Sequence, residues 1–316
     1  MAEGRQHRTE HTVVVAAPPG VLYQLVADVT CWPAVFGPSV HVHHLERGER
    51  SERFRIWALV GGEVSSWVSR RTLDPVGLRI TFRQEHSRPP IASMGGEWLF
   101  RALPGDRTEI VLRHDFTAVD DQDETVRWIT GALDRNSPEE LGALARTAEF
   151  GHPVDEVVFS FTDTVRLATD VASAYDFVYR ADRWADLLPH VSRVRLREAT
   201  PGVQELEMDT VTADGSAHTT SSVRVCERGQ WIAYKQRRTP KLLLGHSGLW
   251  TFVDEPEGSS VTARHTVVID PSAVSEVLGA GTTLDDARAY VRDALGRNSR
   301  ATLTSAAGTT DAPAAR

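Results

Sequence analysis

The sequence predicts two tandem α+β domains, each a curved antiparallel β-sheet wrapped on a long C-terminal helix around an internal cavity. Three observations support this: the chain is written twice, both halves share one order of elements, and the inner face of each predicted sheet carries polar residues. A chain of 316 residues suffices for two ordinary domains. We expect domains at 1–150 and 151–303, followed by a small, polar, disordered tail at 304–316.

The duplication is visible as a constant separation between matching residues. TVVVAAPPGVLYQLVAD at 12–28 matches TVRLATDVASAYDFVYR at 164–180, and Trp32 matches Trp184 at the same offset of 152. Near the end of each half, ALDRNS recurs as ALGRNS. Ordered self-similarity of this kind indicates a duplicated domain.

Each half reads as a strand, two helices, six strands and a long helix. A β-branched run predicts the first strand at 12–16, and prolines before an apolar helical stripe predict a helix at 17–28. A short helix is expected to carry Trp32 to Phe36. Turn signals separate strand-like segments at 40–47, 51–60, 63–72, 77–84, 94–103 and 107–118. The helical pattern at 123–150 is long enough to cover one face of an antiparallel sheet.

Alternation along the strands predicts which side chains point inward. In 63–72 the apolar anchor is Trp67, so Ser69 and Arg71 share its inner face. In the later strands the even positions are apolar and face inward. The further inward residues of the first half are Phe82, Gln84, Trp98, Phe100 and His114. Those of the second half are Ser222, Arg224, Tyr234, Gln236, Trp250 and His265, with Thr220 where Trp67 stood.

These inward polar residues favour a pocket over a filled core. Arginine is rarely fully buried without partners, because desolvating its charge is costly. A wet cavity with an aromatic rim, including Trp32 and Phe36, suits an amphipathic, aromatic or polyketonic molecule. Asn136 and Asn298 on the last helices are candidates to line it. However, SPEE at 137–140 also fits a helix restart with Ser137 as N-cap.

Several of these residues also have a purely structural interpretation. Arg71 fits an ion pair with a helix-borne carboxylate, and His114 fits a hydrogen-bonded interior histidine. The tryptophans fit shape-setting core positions. His41, His43 and His44 are interpreted as a surface or rim cluster rather than a metal site.

The element order resembles the helix-grip fold of START and Bet v 1 proteins. Trp67-x-Ser69-x-Arg71, Trp32-x-x-x-Phe36, Trp98 and the Arg-Asn-Ser of the last helix resemble aromatase/cyclases of bacterial type II aromatic polyketide synthases. The duplication resembles the di-domain branch of that family over nearly the whole chain. The resemblance implies a poly-β-ketone on an acyl carrier protein, delivered after a ketoreductase. It also implies aldol closure of the first ring between carbons 7 and 12, then dehydration to an aromatic ring.

This chemistry assigns expected roles to the first pocket. Arg71 would hold the developing oxyanion, Ser69 would donate to a second carbonyl or orient water, and His114 would act as general base and then acid. No metal or organic cofactor is required. Because the second half loses Trp67, we expect the first pocket to be the catalytic one. The alternatives are a binding or transfer protein for a lipid or polyketide, and one catalytic domain beside one scaffold domain.

Composition excludes several partners. The formal net charge of −8 and the pI of about 5.8 provide no basic field for nucleic acid. No apolar run is long enough to span a membrane, and the polar N-terminus lacks a signal-peptide core. Two cysteines, Cys31 and Cys226, favour a reducing cytoplasm. A homodimer is possible. The basic stretch 234–246 is either a docking face for an acidic carrier protein or an ordinary solvated face.

Overall fold

The computed structural model describes residues 4–211 and 217–307. The chain divides into two compact units, residues 1–154 and 155–316. Each unit contains one seven-stranded sheet in which every neighbouring pair of strands is antiparallel.

The first unit forms its sheet in the order β1-β7-β6-β5-β4-β3-β2, so its first strand lies beside its last. The long helix α3 packs against β1, β7 and α1. Its elements are β1 (His7–Val15), α1 (Pro19–Ala27), α2 (Trp32–Val35), β2 (Ser39–Arg47), β3 (Ser51–Val60), β4 (Glu63–Asp74), β5 (Arg79–Gln84), β6 (Ile91–Leu103), β7 (Arg107–Ala118) and α3 (Asp123–Ala148).

The second unit repeats this order as β8-β14-β13-β12-β11-β10-β9. This unit has four short elements beyond the shared pattern. They are a helix at the unit boundary, two single 3-10 turns, and a helix that precedes the long C-terminal helix. Its helices and strands are α4 (Val154–Val157), β8 (Val158–Leu167), α5 (Val171–Tyr179), α6 (Trp184–Leu187), β9 (Val191–Thr200), β10 (Val203–Val211), β11 (Ala217–Glu227), β12 (Trp231–Arg238), β13 (Leu243–Glu255), β14 (Gly258–Ile269), α7 (Val274–Leu278) and α8 (Leu284–Ala307).

The predicted α+β class and element order are confirmed in both units, but the predicted ends of the long helices are not. Helix α3 continues through Pro138, so the predicted restart at Ser137 is wrong, and the Ser137 side chain is buried mid-helix. Helix α8 includes residues 304–307, which were predicted to be tail. The rest of the predicted tail lies outside the described residues.

The core lies between each sheet and its helices. Alternation holds as predicted: Ile80, Trp98 and Ile110 are buried on the inner face, whereas their odd-numbered neighbours Arg79 and Arg101 are exposed. Burying apolar surface supplies most of the favourable folding free energy, and the twist of the sheet turns this face toward the helix. Among the helices described, none is both long and apolar enough to cross a bilayer.

Candidate active site

One cross-strand row runs along the inner face of each sheet at equivalent positions. Strand pairing places each member of the row opposite the next. In the first unit the row is Glu52, Arg71, Phe82, Gly96 and His114. In the second unit it is Gln204, Arg224, Tyr234, Gly248 and His265. The two rows therefore differ at the acidic position and at the aromatic one.

Arg71 is buried, with 1% of its surface exposed, and all three of its guanidinium nitrogens donate to protein oxygens. Its Nε donates to Glu52 Oε1 at 2.7 Å, and its Nη2 forms a second, short bond to the same oxygen. Nη1 donates to the carbonyl of Val26 at 2.8 Å and Nη2 to that of Ala27 at 2.7 Å, at the end of α1. The guanidinium also lies 5.0 Å from the Trp32 ring centroid.

The predicted catalytic role of Arg71 is therefore not supported. The side chain does face inward, but its charge is balanced by Glu52 and each guanidinium nitrogen already donates to a protein oxygen. The structural alternative, a buried ion pair, describes it better, with the carboxylate coming from strand β3 rather than from a helix. Little donor capacity remains for a substrate oxyanion.

Arg224 is equally buried, at 2% exposure, but lacks a carboxylate partner. Gln204 stands where the first unit has Glu52, and within the described residues no ion pair includes Arg224. Nη2 donates to the carbonyl of Val178 at 2.5 Å. Nη1 is buried with no hydrogen-bond partner in the described part of the chain. Desolvation lowers the pKa of this guanidinium, and its free donor makes it the better anion-binding group.

A cavity of about 130 Å³ lies beside Arg224 in the second unit. It contains all seven second-half residues predicted to bind substrate, together with Thr220 and further residues from the sheet and helix α8. Those predicted residues are Ser222, Arg224, Tyr234, Gln236, Trp250, His265 and Asn298. A cavity of this size class holds about one six-membered ring.

Two histidines, a tyrosine and a serine form a buried polar network on this cavity. His246 Nε2 lies 3.1 Å from His265 Nδ1, and the Tyr234 hydroxyl lies 3.4 and 3.3 Å from those two atoms. The other ring nitrogen of His265, Nε2, lies 2.7 Å from Ser299 Oγ on α8. The free nitrogen of His246, Nδ1, is buried with no hydrogen-bond partner in the described residues.

Burial sets the protonation of this network. Desolvation lowers the pKa of His265 to about 4 and that of His246 well below its usual value, with the neighbouring imidazole adding to the effect at His246. Desolvation raises the pKa of Tyr234. At neutral pH both imidazoles and the phenol are therefore uncharged, and Arg224 supplies the positive charge.

The first unit has no such network at the equivalent positions. Phe82 replaces Tyr234, and Met94, 152 residues before His246, replaces that histidine. His114 lies edge-to-face on Phe82 at 5.6 Å, and burial lowers its pKa to about 4. Its Nδ1 is buried without a partner in the part of the chain described. The predicted general base thus lies against the Phe82 ring, and its Nδ1 has no hydrogen-bond partner in the described residues.

Trp67 explains a further part of this difference. It packs on an apolar cluster that includes Phe54 and Ile56 in the first unit, whereas Thr220 at the matching position lines the second cavity. A large ring fills space that a threonine leaves open. Retention of Trp67 is therefore a poor sign of a catalytic pocket, and the expectation that the first pocket is the active one loses its basis.

The remaining predicted residues of the strands and short helices in the first unit are buried or hydrogen-bonded within the protein. Trp98 and Phe100 are buried core residues, as is Phe36, while Trp32 donates from its ring N–H to the carbonyl of Val26 at 3.1 Å. Ser69 is buried at 6% exposure, and Gln84 Oε1 accepts from Ser87 Oγ.

Asn136 lines neither of the two cavities described in this section; it is exposed on α3, and the adjacent Ser137 faces the interior. On α8 the adjacent Ser299 is likewise buried, while Asn298 is mostly exposed and lines the cavity from its edge. Helical periodicity thus places the serine, not the asparagine, of each Arg-Asn-Ser inside.

A depression of about 900 Å³ in the first unit lies on the outer face of its sheet. It is lined mainly by arginines and carboxylates that pair with each other, such as Arg113 with Glu10 and Arg83 with Asp115. Its charges are solvated and mutually satisfied. It therefore provides no buried site for chemistry.

Two elements of the site were missed from the sequence although signals for them existed. Gly61 and Gly62 have φ of 60° and 89°, as a tight hairpin turn requires, and equal steps back from that turn place Glu52 opposite Arg71. His246 lies on the same even-numbered face as Trp250, which alternation had already assigned to the interior.

The last candidates from the sequence are the histidines near residue 41 and the basic stretch 234–246. His41 is buried, and the His44 ring lies 3.0 Å from a Glu52 oxygen, so these two are not a simple surface cluster. In the described ranges, no group of three or more potential ligand residues could hold a metal ion. In the basic stretch Lys235 is buried, whereas Arg237, Arg238 and Lys241 are exposed, and Lys241 pairs with Glu276.

Fold and site together define a two-unit helix-grip protein whose second unit holds a cavity lined by polar and aromatic side chains. The model of the family described as polyketide cyclase/dehydrase and lipid transport matches residues 15–121 and 167–284. The chain belongs to this family, as a di-domain aromatase/cyclase enzyme.

Individual relatives match along nearly the whole chain. The granaticin polyketide synthase bifunctional cyclase/dehydratase of Streptomyces violaceoruber is 64% identical, over 95% of this chain and 93% of the relative. The actinorhodin polyketide synthase bifunctional cyclase/dehydratase of Streptomyces coelicolor is 52% identical, over 97% and 98%. The crystal structure of the di-domain ARO/CYC BexL from the BE-7585A biosynthetic pathway is 46% identical with a TM-score of 0.83, over 97% of this chain and 99% of BexL.

Proposed function

We propose that this enzyme closes the first ring of a ketoreduced poly-β-ketone between carbons 7 and 12 and dehydrates it to an aromatic ring, within the cavity of its second unit. The observation that carries the proposal is Arg224, a buried guanidinium beside a ring-sized cavity that has, among the described residues, a free donor and no carboxylate in an ion pair with it. The near-complete alignment with cyclase/dehydratases supports the reaction type.

Arg224 fits the charge that develops in an aldol closure. Attack of an enol carbon on a ketone places negative charge on the carbonyl oxygen, and a preformed donor in a dry site lowers that barrier by about 3 kcal/mol. The free Nη1 is such a donor. Ser222 and Gln236 line the same cavity, and the buried Gln236 Oε1 has no partner among the described residues, so it can accept from an enol hydroxyl.

The size of the cavity favours control of ring pattern. Poly-β-ketones cyclise spontaneously in several ways, and a space of about 130 Å³ admits one folded six-carbon segment. Holding the reacting carbons at about 3–3.5 Å converts one of these paths into the favoured one. Trp184 and Trp250 lie on the wall and provide flat surfaces for the forming ring.

We assign the first unit a scaffold role, since its arginine is paired with Glu52 and its row has Phe82 where the second has Tyr234. This is the arrangement of one catalytic and one scaffold domain, with the second domain catalytic. The partners we propose are an acyl carrier protein bearing the chain and an upstream ketoreductase in the cytoplasm, and a homodimer is compatible with these roles.

Reconstitution of a minimal synthase and ketoreductase tests the proposal. Adding the wild-type protein should change the products from mixed shunt compounds to one with a carbon 7 to carbon 12 ring. Arg224→Met should abolish that change, since removing one oxyanion donor costs about 100-fold or more in rate.

Arg71→Met, in a preparation checked for folding, is the matched control and should retain the ring pattern. An unchanged product mixture on adding wild-type protein would overturn the function. Loss of the pattern in folded Arg71→Met but not in Arg224→Met would place the reaction in the first unit instead.

A further inference from the structure

The buried histidine pair has a geometry that goes beyond oxyanion binding. Two hydrogen bonds and two imidazole rings join the free nitrogen of His246 to Ser299: His246 bonds to His265 over 3.1 Å, and His265 bonds to Ser299 Oγ over 2.7 Å. Both end residues line the cavity. A chain of this kind has two protonation patterns of equal charge, because each neutral imidazole has one donor and one acceptor nitrogen.

We propose that His246, His265 and Ser299 form a proton relay that carries out the dehydration of the first ring, with His246 as the base that contacts the substrate. The proposal rests on the function proposed above, because it places the ring in the second cavity. It assigns a catalytic role to His246, for which the first unit has Met94 at the equivalent position.

The relay balances the elimination of water. His246 Nδ1 takes the proton from the carbon next to the carbonyl, and the electron pair of that C–H bond forms the new C=C bond. The Nε2 proton of His246 passes to His265 Nδ1, and the Nε2 proton of His265 passes to Ser299 Oγ. Ser299 gives its own proton to the leaving hydroxyl, which departs with the C–O electron pair as water. The enzyme resets after product release. His246 Nδ1 gives its proton to water, the protons shift back from Ser299 through His265 to His246, and Ser299 Oγ regains a proton from water, so no oxidant or reductant is needed.

The surroundings suit this relay. Burial keeps both imidazoles neutral, so each retains the one free lone pair that the relay requires. His265 stacks between Phe161 at 5.0 Å and His246 at 5.3 Å, which fixes its ring plane. The Tyr234 hydroxyl lies within 3.4 Å of both facing nitrogens and can donate to whichever one is unprotonated.

The test uses the full-length enzyme in the reconstituted synthase and measures the ratio of aromatised to non-dehydrated first-ring product, which differ in mass by one water. His246→Met installs the residue of the first unit, and His246→Gln keeps a hydrogen-bonding side chain that cannot exchange donor for acceptor. Both should lower the ratio by about 100-fold with the ring pattern unchanged, as loss of an acid–base group does. Met94→Leu is the matched control in the first unit and should leave the ratio unchanged.

Ser299→Ala tests the other end of the relay. Combined with His246→Met, it should add little to either single loss, because groups acting as one unit are not additive. Rescue by His246→Gln, or multiplication of the two single losses, would indicate a merely structural network and overturn the relay. Wild-type ratios in His246→Met but loss of ring pattern in Arg224→Met would refute the relay and leave the proposed function standing. Wild-type products in both variants would refute both.

Discussion

Replacing each inward arginine by methionine should separate stability from activity. Arg71→Met removes two bonds to Glu52 and two to helix carbonyls, and it leaves the Glu52 carboxylate buried beside His44. Breaking a buried pair in this way costs about 3–5 kcal/mol. Arg224→Met removes one bond to the carbonyl of Val178, but it also removes a buried charge that forms no ion pair with any described residue. Because these two effects oppose each other, its stability should stay within about 1 kcal/mol of wild type.

Urea unfolding followed by tryptophan fluorescence measures both free energies, and hydrogen exchange of peptides from each unit shows which unit opens. Adding Glu52→Gln to Arg71→Met should recover about 2 kcal/mol or more, because the remaining buried charge is gone. The reasoning is refuted if Arg71→Met is as stable as wild type, or if Arg224→Met loses several kcal/mol while still directing ring closure.

Two further predictions concern the buried histidines and a glycine. Because the folded pKa of His265 is about 4 and the unfolded value is near 6.5, the unfolded chain binds the proton first as the pH falls. Stability should therefore drop between pH 6.5 and 4, by about 2 kcal/mol at pH 5 from this residue, and His265→Phe should flatten that slope in urea titrations at each pH. An unchanged slope would contradict the burial argument. A Cβ on Gly248 would collide with the Tyr234 ring. Gly248→Ala should consequently displace Tyr234 and lower aromatised product by about 10-fold or more, measured by mass spectrometry, whereas wild-type yield would show that the ring is free to move.

The fold was predictable because the duplication and the alternation of apolar residues can both be seen in the sequence without knowing which strands pair. Side-chain direction in a strand needs no knowledge of the partner strand, so Arg71, Tyr234 and His265 were assigned correctly to the inner face. The stretch 137–140 misled because its Ser-Pro-Glu pattern fits a cap, yet Pro138 sits inside a continuous helix.

Partnership across the sheet was harder to predict. The difference between a satisfied and a free arginine lies in Glu52 against Gln204, residues about 20 positions earlier whose importance depends on strand register. Likewise, His246 is linked to Ser299 only through His265, because β13 pairs with β14 and β14 packs against α8. The sequence identified the inward residues, but not which of them were already neutralised by a neighbour.

The inward arginine of each unit also has a structural role. Arg71 donates to the carbonyl of Val26, and Arg224 donates to the carbonyl of Val178. Both carbonyls belong to the last turn of a short helix, where no backbone N–H of that helix is available to them. In each unit the arginine therefore caps a helix C-terminus and fastens it to the sheet. The arginine of the Ser-x-Arg in β4 and in β11 therefore holds a helix to the sheet in both units. Under the function proposed above, the arginine is free for catalysis only in the unit where glutamine replaces the carboxylate across the hairpin.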